Sequence, residues 1–465
     1  MKSQSKKIII HFIGIGGIGM SAIAEVMHDL GYKVQGSDLF LSENTRRLKI
    51  KGIKIFINHH SKNIHNATTV VYSSAIKKNN VEIISSKKLS IPLVSRADML
   101  SELMKNKRSI AIAGSHGKTT TTSLIGNILD IAKFDPTIIN GGIINSYSKN
   151  NKIGKGEWLV AEADESDGSF LKLPHQISVV TNIDIEHLDY YLTKKKLVKA
   201  FETFILNLPF YGYSVVCLDD ICLKKMVQKI KTRNIITFSI GNKNADVFIR
   251  GIKNDFMTSS FYIILNKKIN GYKGKYKFKV NLLGNHNMLN VSASIIVSLL
   301  LGIKIKVIKE GLSNYKGVKR RFSLIGKKNK SLVIDDYAHH PTEILATYLA
   351  AKKINKNVVV VFQPHRFSRT LNLMESFYSS FKDADQLILL DIYGAGEKPI
   401  EGIDSQKIAQ GIREFGHKHV DHIEKTDTLV SHLKTSLHVG DVILTLGAGN
   451  IGELAHKLVA QFHDW

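Results

Sequence analysis

The residues that most directly imply chemistry are Gly114, Ser115, His116, Gly117, Lys118, Thr119 and Thr120. An apolar run, Ile110 to Ala113, precedes them, and a helical pattern runs from Thr120 towards Leu129. Strand, glycine turn, Lys-Thr and helix is the layout of a phosphate-binding loop. The glycines let backbone N–H groups approach a polyphosphate, and the helix N-terminus adds partial positive charge. Lys118 is suited to neutralise the outer phosphates and the Thr119 hydroxyl to ligate Mg²⁺. Only two residues separate Gly114 from Gly117, fewer than in the common motif, which points to a narrower group than ordinary P-loop switches.

Acidic groups follow two further apolar strands. Trp158 to Val160 leads to Glu162, Asp164, Glu165 and Asp167, and Ser178 to Thr181 leads to Asp184, Glu186, His187 and Asp189. Carboxylates at strand ends beside a phosphate loop suit a Mg–nucleotide site. Glu162, nearest its strand, is the metal candidate. Asp164, Glu165 and Asp167 read as loop carboxylates capping the next helix. Because Mg²⁺ prefers oxygen, residue chemistry alone gives His187 a structural or supporting part.

The elements that position such residues start with Ile8 to Phe12, a strand ending at Gly14-Ile15-Gly16-Gly17-Ile18-Gly19. A helix from Met20 to Leu30 and a strand Lys33 to Gln35, with Asp38 at its end, complete a dinucleotide fingerprint. Lys6-Lys7 and Ala22-Ile23-Ala24 imitate a secretory signal, but the strand and glycine turn are the better reading. A second G-x-G-x-x-G, Gly447 to Gly452, follows the strand Asp441 to Leu446, and there close helix packing is the expected use of the glycines. Strands are expected at Thr69 to Tyr72 and Ile91 to Val94, and a charged helix at Ala97 to Lys107. Ala245 to Lys279 alternates polar and apolar residues around Asn270-Gly271, which reads as antiparallel strands. Gly284-Asn285-His286-Asn287-Met288-Leu289-Asn290 opens an apolar helix, with amides and an imidazole suited to capping or to base recognition.

The last third repeats the strand–helix rhythm at Ser331 to Ile334, Asn357 to Phe362 and Gln386 to Leu390. Two of its strand ends carry Asp335-Asp336-Tyr337-Ala338-His339-His340 and His365-Arg366-Phe367-Ser368-Arg369. Arg366 and Arg369 share one face if helical, and such a pair grips phosphate or carboxylate in a fork.

At 465 residues the chain has room for two or three domains. Its net charge of +25 admits nucleic acid or acidic substrates as partners, but the lysines are scattered and lack interleaved aromatics, so no nucleic-acid partner is expected. Two cysteines, Cys217 and Cys222, exclude a disulfide scaffold and suit a reducing compartment; no apolar run reaches spanning length, and a cytoplasmic protein is expected. An NAD-dependent oxidoreductase would use Gly14 to Gly19 and Asp38 but would leave the Lys118 loop idle.

GIGGIGMSAIAEV, GSHGKTTTT, EADESD, TNIDIEHLD, GNHNMLN, DDYAHHPTE and FQPHRFSRT, in that order, resemble the Mur ligases over essentially the whole chain, with Ser115 standing where Thr is common. The resemblance implies an α/β protein of three domains: a Rossmann-like UDP-sugar domain (1–100), a P-loop ATPase-like mixed-sheet ATP domain (101–315) and a Rossmann-like amino-acid domain (316–465). It implies an ATP-dependent amide ligase joining L-alanine to the lactyl carboxylate of UDP-N-acetylmuramate through an acyl phosphate, with recycling of a tripeptide onto the same sugar as the alternative. Mg²⁺, or Mn²⁺, would be held by Thr119, Glu162 and His187. His286, Asn287 and Asn290 would approach the adenine or ribose, and Arg321 and Asp336 would complete the nucleotide site. Tyr337 and His339 would face the alanine. His365, Arg366 and Arg369 would hold the muramoyl carboxylate and phosphates, and Gly16, Gly17, Asp38, His59 and Ser73 the UDP. His187 and His339 are the candidates for the base, and Lys199 for a carbamylated lysine of the kind that sister ligases use. Gathering three substrates in line contributes about 7–11 kcal/mol per well-oriented encounter, which favours closure of the domains.

Overall fold

In the computed structural model, residues 8–328, 330–355, 357–424, 426–436 and 438–461 are described. The chain forms two compact units, one comprising Met1–Arg250, Tyr262–Phe278 and Leu289–Lys316, the other Gly251–Phe261, Lys279–Met288 and Gly317–Trp465. Three sheets, one for each expected domain type, organise them.

The amino-terminal sheet has five parallel strands in the order Lys54–Ile57, Lys33–Asp38, Ile9–Ile13, Thr69–Tyr72, Leu93–Ser95. The order reverses between Ile9–Ile13 and Thr69–Tyr72, and ligands of open α/β sheets bind outside the strand carboxyl ends at such a switch point. Parallel strands buried on both faces need near-continuous apolar runs, and Phe12, Ile13, Val70 and Val71 are fully buried.

The ten-stranded mixed sheet has at its centre Tyr213–Cys217, Ile177–Val180, Arg108–Ala113, Trp158–Glu162 and Thr137–Ile144, in that order and all parallel. The helix Lys118–Ile131 leaves the central strand with Leu124, Ile125, Ile128 and Leu129 fully buried, one apolar face at helical spacing. The expected Asn270-Gly271 turn joins the strands Thr258–Ile269 and Tyr272–Val280, with φ of 44° and 88° at the two residues as a tight antiparallel hairpin requires.

Lys149–Lys152 pairs antiparallel at that sheet's edge although its sequence, Lys-Asn-Asn-Lys, carries no strand signal. Its amides explain it. Asn150 Nδ2 donates to the Ile18 carbonyl and Asn151 Nδ2 to the Ala22 carbonyl at 3.2 Å, fastening the strand to the helix Ile18–Asp29. Below them buried Glu25 pairs with Lys51 at 2.9 Å and Lys149 at 3.2 Å. Burial works to raise its carboxyl pKa, and the two lysines outweigh this and lower it.

The second unit's sheet runs Ser323–Lys328, Ser331–Asp336, Val442–Leu446, Val358–Phe362, Gln386–Leu389, Val420–His422, parallel except for the first pair. Leu332, Ile334, Val360, Phe362 and Leu444 form a core on one face, and Val333, Val359, Val361 and Ile443 form another on the opposite face. Among the described residues no helix is long and apolar enough to cross a membrane.

Candidate active site

Three neighbouring parallel strands, Ile177–Val180, Arg108–Ala113 and Trp158–Glu162, deliver their carboxyl ends to one edge. The central one feeds the glycine loop. Gly114 has φ of +133°, and a Cβ there would lie 2.0 Å from the Thr181 hydroxyl oxygen; Gly117 has φ of +84° and would meet the Asn290 amide at 2.5 Å. Both glycines are therefore required by close approach as well as by backbone angle.

The neighbouring strand end holds the loop open. His116 N donates to Asn182 Oδ1 at 2.8 Å, Thr181 Oγ1 and Asn182 Nδ2 donate to the His116 carbonyl, and Asp184 N donates to Ser115 Oγ at 2.8 Å. His116 Nε2 lies 3.0 Å from Asp184 Oδ2. Sequence reading gave Thr181 and Asn182 no part, because their use depends on which strand lies next to the loop strand.

Lys118 opens the helix and bonds the carbonyls of Gly114 and Ser115, while Thr120 is buried in its first turn. Thr119 Oγ1 lies 3.0 Å from Glu162 Oε2, which also accepts from Gly141 N at 2.7 Å. Two of the expected metal ligands thus stand together. His187, at φ of +57°, sits instead beside Glu165 and Glu186, its Nε2 3.9 Å from a carboxylate oxygen of each, and the three donors lie within 4.8 Å of one another.

Glu165 corrects the expectation of a helix-capping loop carboxylate. Its side chain is 1% exposed and meets Lys118 Nζ at 2.9 Å. Burial raises its carboxyl pKa against the opposing pull of Lys118. Burial by itself would lower the Lys118 pKa, but Glu165, Glu162 and Asp164 outweigh it and the ammonium is held protonated. Asp164 turns to Arg96 at 3.0 Å, and Asp167 accepts from Ser169 N at the next short helix, as a capping carboxylate does. The order Glu-Ala-Asp-Glu carries no period that says which carboxylate turns inward. Lys199 is on a helix face, 68% exposed and paired with Glu202.

At the amino-terminal edge Gly16 N donates to Asp38 Oδ2 at 2.7 Å, and Gly17 starts the helix Ile18–Asp29. Ser73 follows the strand across the switch point, in a turn whose Ile76 lies against Gly14. His59 follows the outermost strand and bonds Ser37 Oγ at 3.0 Å. The fingerprint residues and Ser73 thus share one edge.

In the second unit, buried Asp336 accepts from Phe322 N at 2.6 Å and Ala338 N at 2.8 Å. Burial pushes its carboxyl pKa up to about 6, although Arg321 opposes it. Arg321 lies over the Tyr337 ring at 5.5 Å and within 3.8 Å of Glu343. His339 Nδ1 is 3.0 Å from the Tyr337 carbonyl, and its ring is 6.2 Å from that of His365. His286 and Asn287 lie in the first turn of the helix Asn285–Leu300, where Asn287 Nδ2 donates to the Leu283 carbonyl at 2.8 Å.

The arginine pair does not share a helix face. Arg366, exposed at φ of +69°, is the residue before the helix Phe367–Ser380, and Arg369 in its first turn reaches back to His365 Nδ1 at 3.0 Å. Burial, with Arg369, His339 and Arg366 facing it, pushes the His365 pKa down to about 4, so its ring is a neutral acceptor at pH 7. Arg320, which was given no separate part, donates to Asp335 and to the carbonyls of Gly447 and Gly449.

Comparison with known proteins agrees with this layout. Residues 9–108 match the Mur ligase family catalytic domain, 112–298 the Mur ligase middle domain and 320–449 the Mur ligase glutamate ligase domain. The chain is 47% identical to the UDP-N-acetylmuramate–L-alanine ligase of Rickettsia felis over 97% of this chain and 95% of that one. It is 46% identical to the ligase of the same name from Allorhizobium ampelinum, over 99% and 98%. A crystal structure of UDP-N-acetylmuramate-alanine ligase from Thermotoga maritima, 28% identical, superposes with a TM-score of 0.83 over 98% of this chain and 99% of that one. With three matching domains in order and relatives alike from end to end, the chain belongs to the Mur ligase family.

Proposed function

We propose that this chain is an ATP-dependent ligase that joins L-alanine to the lactyl carboxylate of UDP-N-acetylmuramate, giving ADP and phosphate. The observation that carries the reading is the chain-long identity to proteins named for that reaction. The Lys118 loop makes it chemically intelligible. A carboxylate is a poor electrophile, so its oxygen first attacks the γ-phosphorus and the bond to the ADP oxygen breaks. The alanine amine, having lost a proton, then attacks the acyl carbon of the acyl phosphate, and inorganic phosphate leaves.

Both steps concentrate negative charge, and the chain's fixed groups are arranged to meet it. Lys118 is held in place by two loop carbonyls and Glu165, so its ammonium is oriented before the nucleotide arrives. The N–H groups at the start of the helix Lys118–Ile131 face the same loop. Thr119 and Glu162 offer adjacent oxygen donors of the kind Mg²⁺ selects, and Glu165, Glu186 and His187 form a second donor group. Mg²⁺ bound there would supply charge neutralisation at the β- and γ-phosphates. Asp38, His59, Ser73 and the turn at Gly16 and Gly17 are assigned to the UDP, and His286, Asn287 and Asn290 to the nucleoside of ATP. Arg321 and Asp336 are assigned to the nucleotide, Tyr337 and His339 to alanine, and His365, Arg366 and Arg369 to the substrate's anionic groups.

Phosphate release from ATP with UDP-N-acetylmuramate and each of glycine, L-alanine, L-serine and a tripeptide with a free α-amino group tests the reading. L-Alanine should give the highest kcat/KM, with glycine handicapped by about 10–200-fold because one methyl group is lost from its pocket. Preference for the tripeptide would overturn the assignment to alanine.

A further inference from the structure

Glu82 lies outside every motif discussed above, yet it is the most heavily bonded carboxylate of the amino-terminal domain. It sits in the first turn of the helix Val81–Lys88 and is fully buried. Its Oε1 accepts from Asn63 Nδ2 at 2.6 Å and from His60 N at 3.2 Å, and its Oε2 accepts from Ser37 Oγ at 2.6 Å. His11 Nε2, also fully buried, is 3.3 Å from the same Oε2. Burial works to raise its carboxyl pKa, and the bonds from His11, Ser37 and Asn63 outweigh it and lower it. Glu82 is therefore an anion and can only accept.

That fixes a chain of protons. The single hydroxyl hydrogen of Ser37 is spent on Glu82, so its oxygen can only accept from the group on its other side. That group is His59 Nδ1, at 3.0 Å, itself 3.4 Å from Glu82 Oε2. Neutral His59 must then carry its proton on Nδ1 and present Nε2 as a lone pair. His59 follows the outermost strand, Lys54–Ile57, next to the strand that ends in Asp38, and Asn58 N bonds the Asp38 carbonyl at 2.8 Å. In a mononucleotide-binding half the phosphates lie at the glycine turn and the ribose by the acid ending the second strand. His59 stands one strand further out than that acid.

We propose that Glu82, acting through Ser37, sets the tautomer of His59 so that Nε2 accepts the imide N–H of uracil, making the pair positioning residues that select uracil over cytosine. Uracil N3 is a donor and cytosine N3 an acceptor; a fixed lone pair welcomes the first and repels the second. The inference rests on the assignment of the UDP-sugar to this domain.

The test compares wild type, Ser37→Ala and Glu82→Gln by calorimetric titration with UDP and with CDP, alongside ¹⁵N spectra of labelled histidine. Wild type is expected to prefer UDP by about 10²-fold, and His59 to show the Nδ1–H tautomer. Ser37→Ala removes the 3.0 Å acceptor of His59 Nδ1–H and leaves only the longer 3.4 Å contact with Glu82 Oε2, so the tautomer is held less firmly and the UDP preference should fall by about tenfold while the KM for ATP stays put. Glu82→Gln, with a neutral amide in place of the anion, should relax it in the same direction. Equal loss of affinity for UDP and CDP in both variants would mean a merely structural role and would overturn the proposal, as would an Nε2–H tautomer in wild type. Equal wild-type binding of UDP and CDP, with UDP-N-acetylmuramate still turned over, would sink this inference alone. Failure of wild type to use UDP-N-acetylmuramate at all would instead sink the reading on which it rests.

Discussion

The turns Gly14 to Gly19 and Gly447 to Gly452 spell the same G-x-G-x-x-G after a buried strand and before a helix, yet they do opposite things. In the first, Gly17 is exposed, Gly16 N points at Asp38, and Ser73 stands across the switch point. In the second, Gly447 and Gly452 are buried, and the carbonyls of Gly447 and Gly449 take the Arg320 guanidinium at 2.6 and 2.9 Å. A Cβ on Gly452 would lie 2.6 Å from Arg320 Nε. One loop turns an N–H to the chain's own Asp38 carboxylate; the other turns two carbonyls to its own Arg320 guanidinium. The motif encodes close backbone approach, and what approaches is decided elsewhere in the chain.

The largest way to break this contrast is to empty the second loop. Arg320→Ala strands Asp335, which is 2% exposed, together with two carbonyls. Removing one partner of such a pair costs about 3–5 kcal/mol, with the low end expected because Arg320 retains some exposure. Urea denaturation reads it, and an unchanged midpoint would mean that the guanidinium does not fill the loop.

Asp336, whose carbonyl accepts from Gly447 N, gives the same region a pH signature. Its carboxyl pKa is about 6, raised above the unfolded value by burial, so folding favours the protonated form. The stabilisation is fully present below the unfolded pKa near 4 and is lost as pH rises through 6, about 3 kcal/mol in all. Asp336→Asn cannot titrate. Plotted against pH from 4 to 7, the stability of wild type relative to this variant should therefore fall; a flat difference would remove the assigned shift.

The third glycine turn differs from both in carrying its own cation. Lys118→Ala should lower kcat by about 10²-fold, since it removes fixed charge at the transferring phosphoryl group. Steady-state kinetics at saturating substrates checks it, and near-normal turnover would leave Gly114 to Thr119 without its assigned part.

What was legible in advance follows the same division. Thr69–Tyr72 falls where its β-branched run puts it, and the phosphate loop could be read because strand, turn and helix are contiguous. Lys149–Lys152 could not, because buried asparagines bonded to a distant helix replace the apolar pattern. Glu165, Arg320 and Glu82 escaped for a related reason: whether a charged residue turns inward depends on partners up to 129 residues away in sequence. The expected fork at Arg366 and Arg369 assumed a helix that starts one residue too early. Local pattern specifies elements; burial of charge is specified by topology.

The smallest effect separates the two fingerprints most cleanly. Gly16 is needed for space: a Cβ there would meet Thr45 Cγ2 at 2.8 Å, Asp38 Oδ2 at 2.9 Å and Ser42 Oγ at 2.9 Å. Gly16→Ala must therefore push Asp38 off the Gly16 N–H, at the edge assigned to the UDP-sugar. Ser42 and Thr45 form the capping box of the helix Glu43–Ile50, a partly solvated contact that can shift by tenths of an ångström, so stability should change by less than about 1 kcal/mol. Losing one oriented hydrogen bond should raise the KM for UDP-N-acetylmuramate about tenfold and leave the KM for ATP unchanged. Gly452→Ala should do the reverse, lowering the urea midpoint through Arg320 with no change in either KM. If both alanines moved the same quantity, the two loops would share one role and the contrast between an anion-facing and a cation-filled turn would be lost.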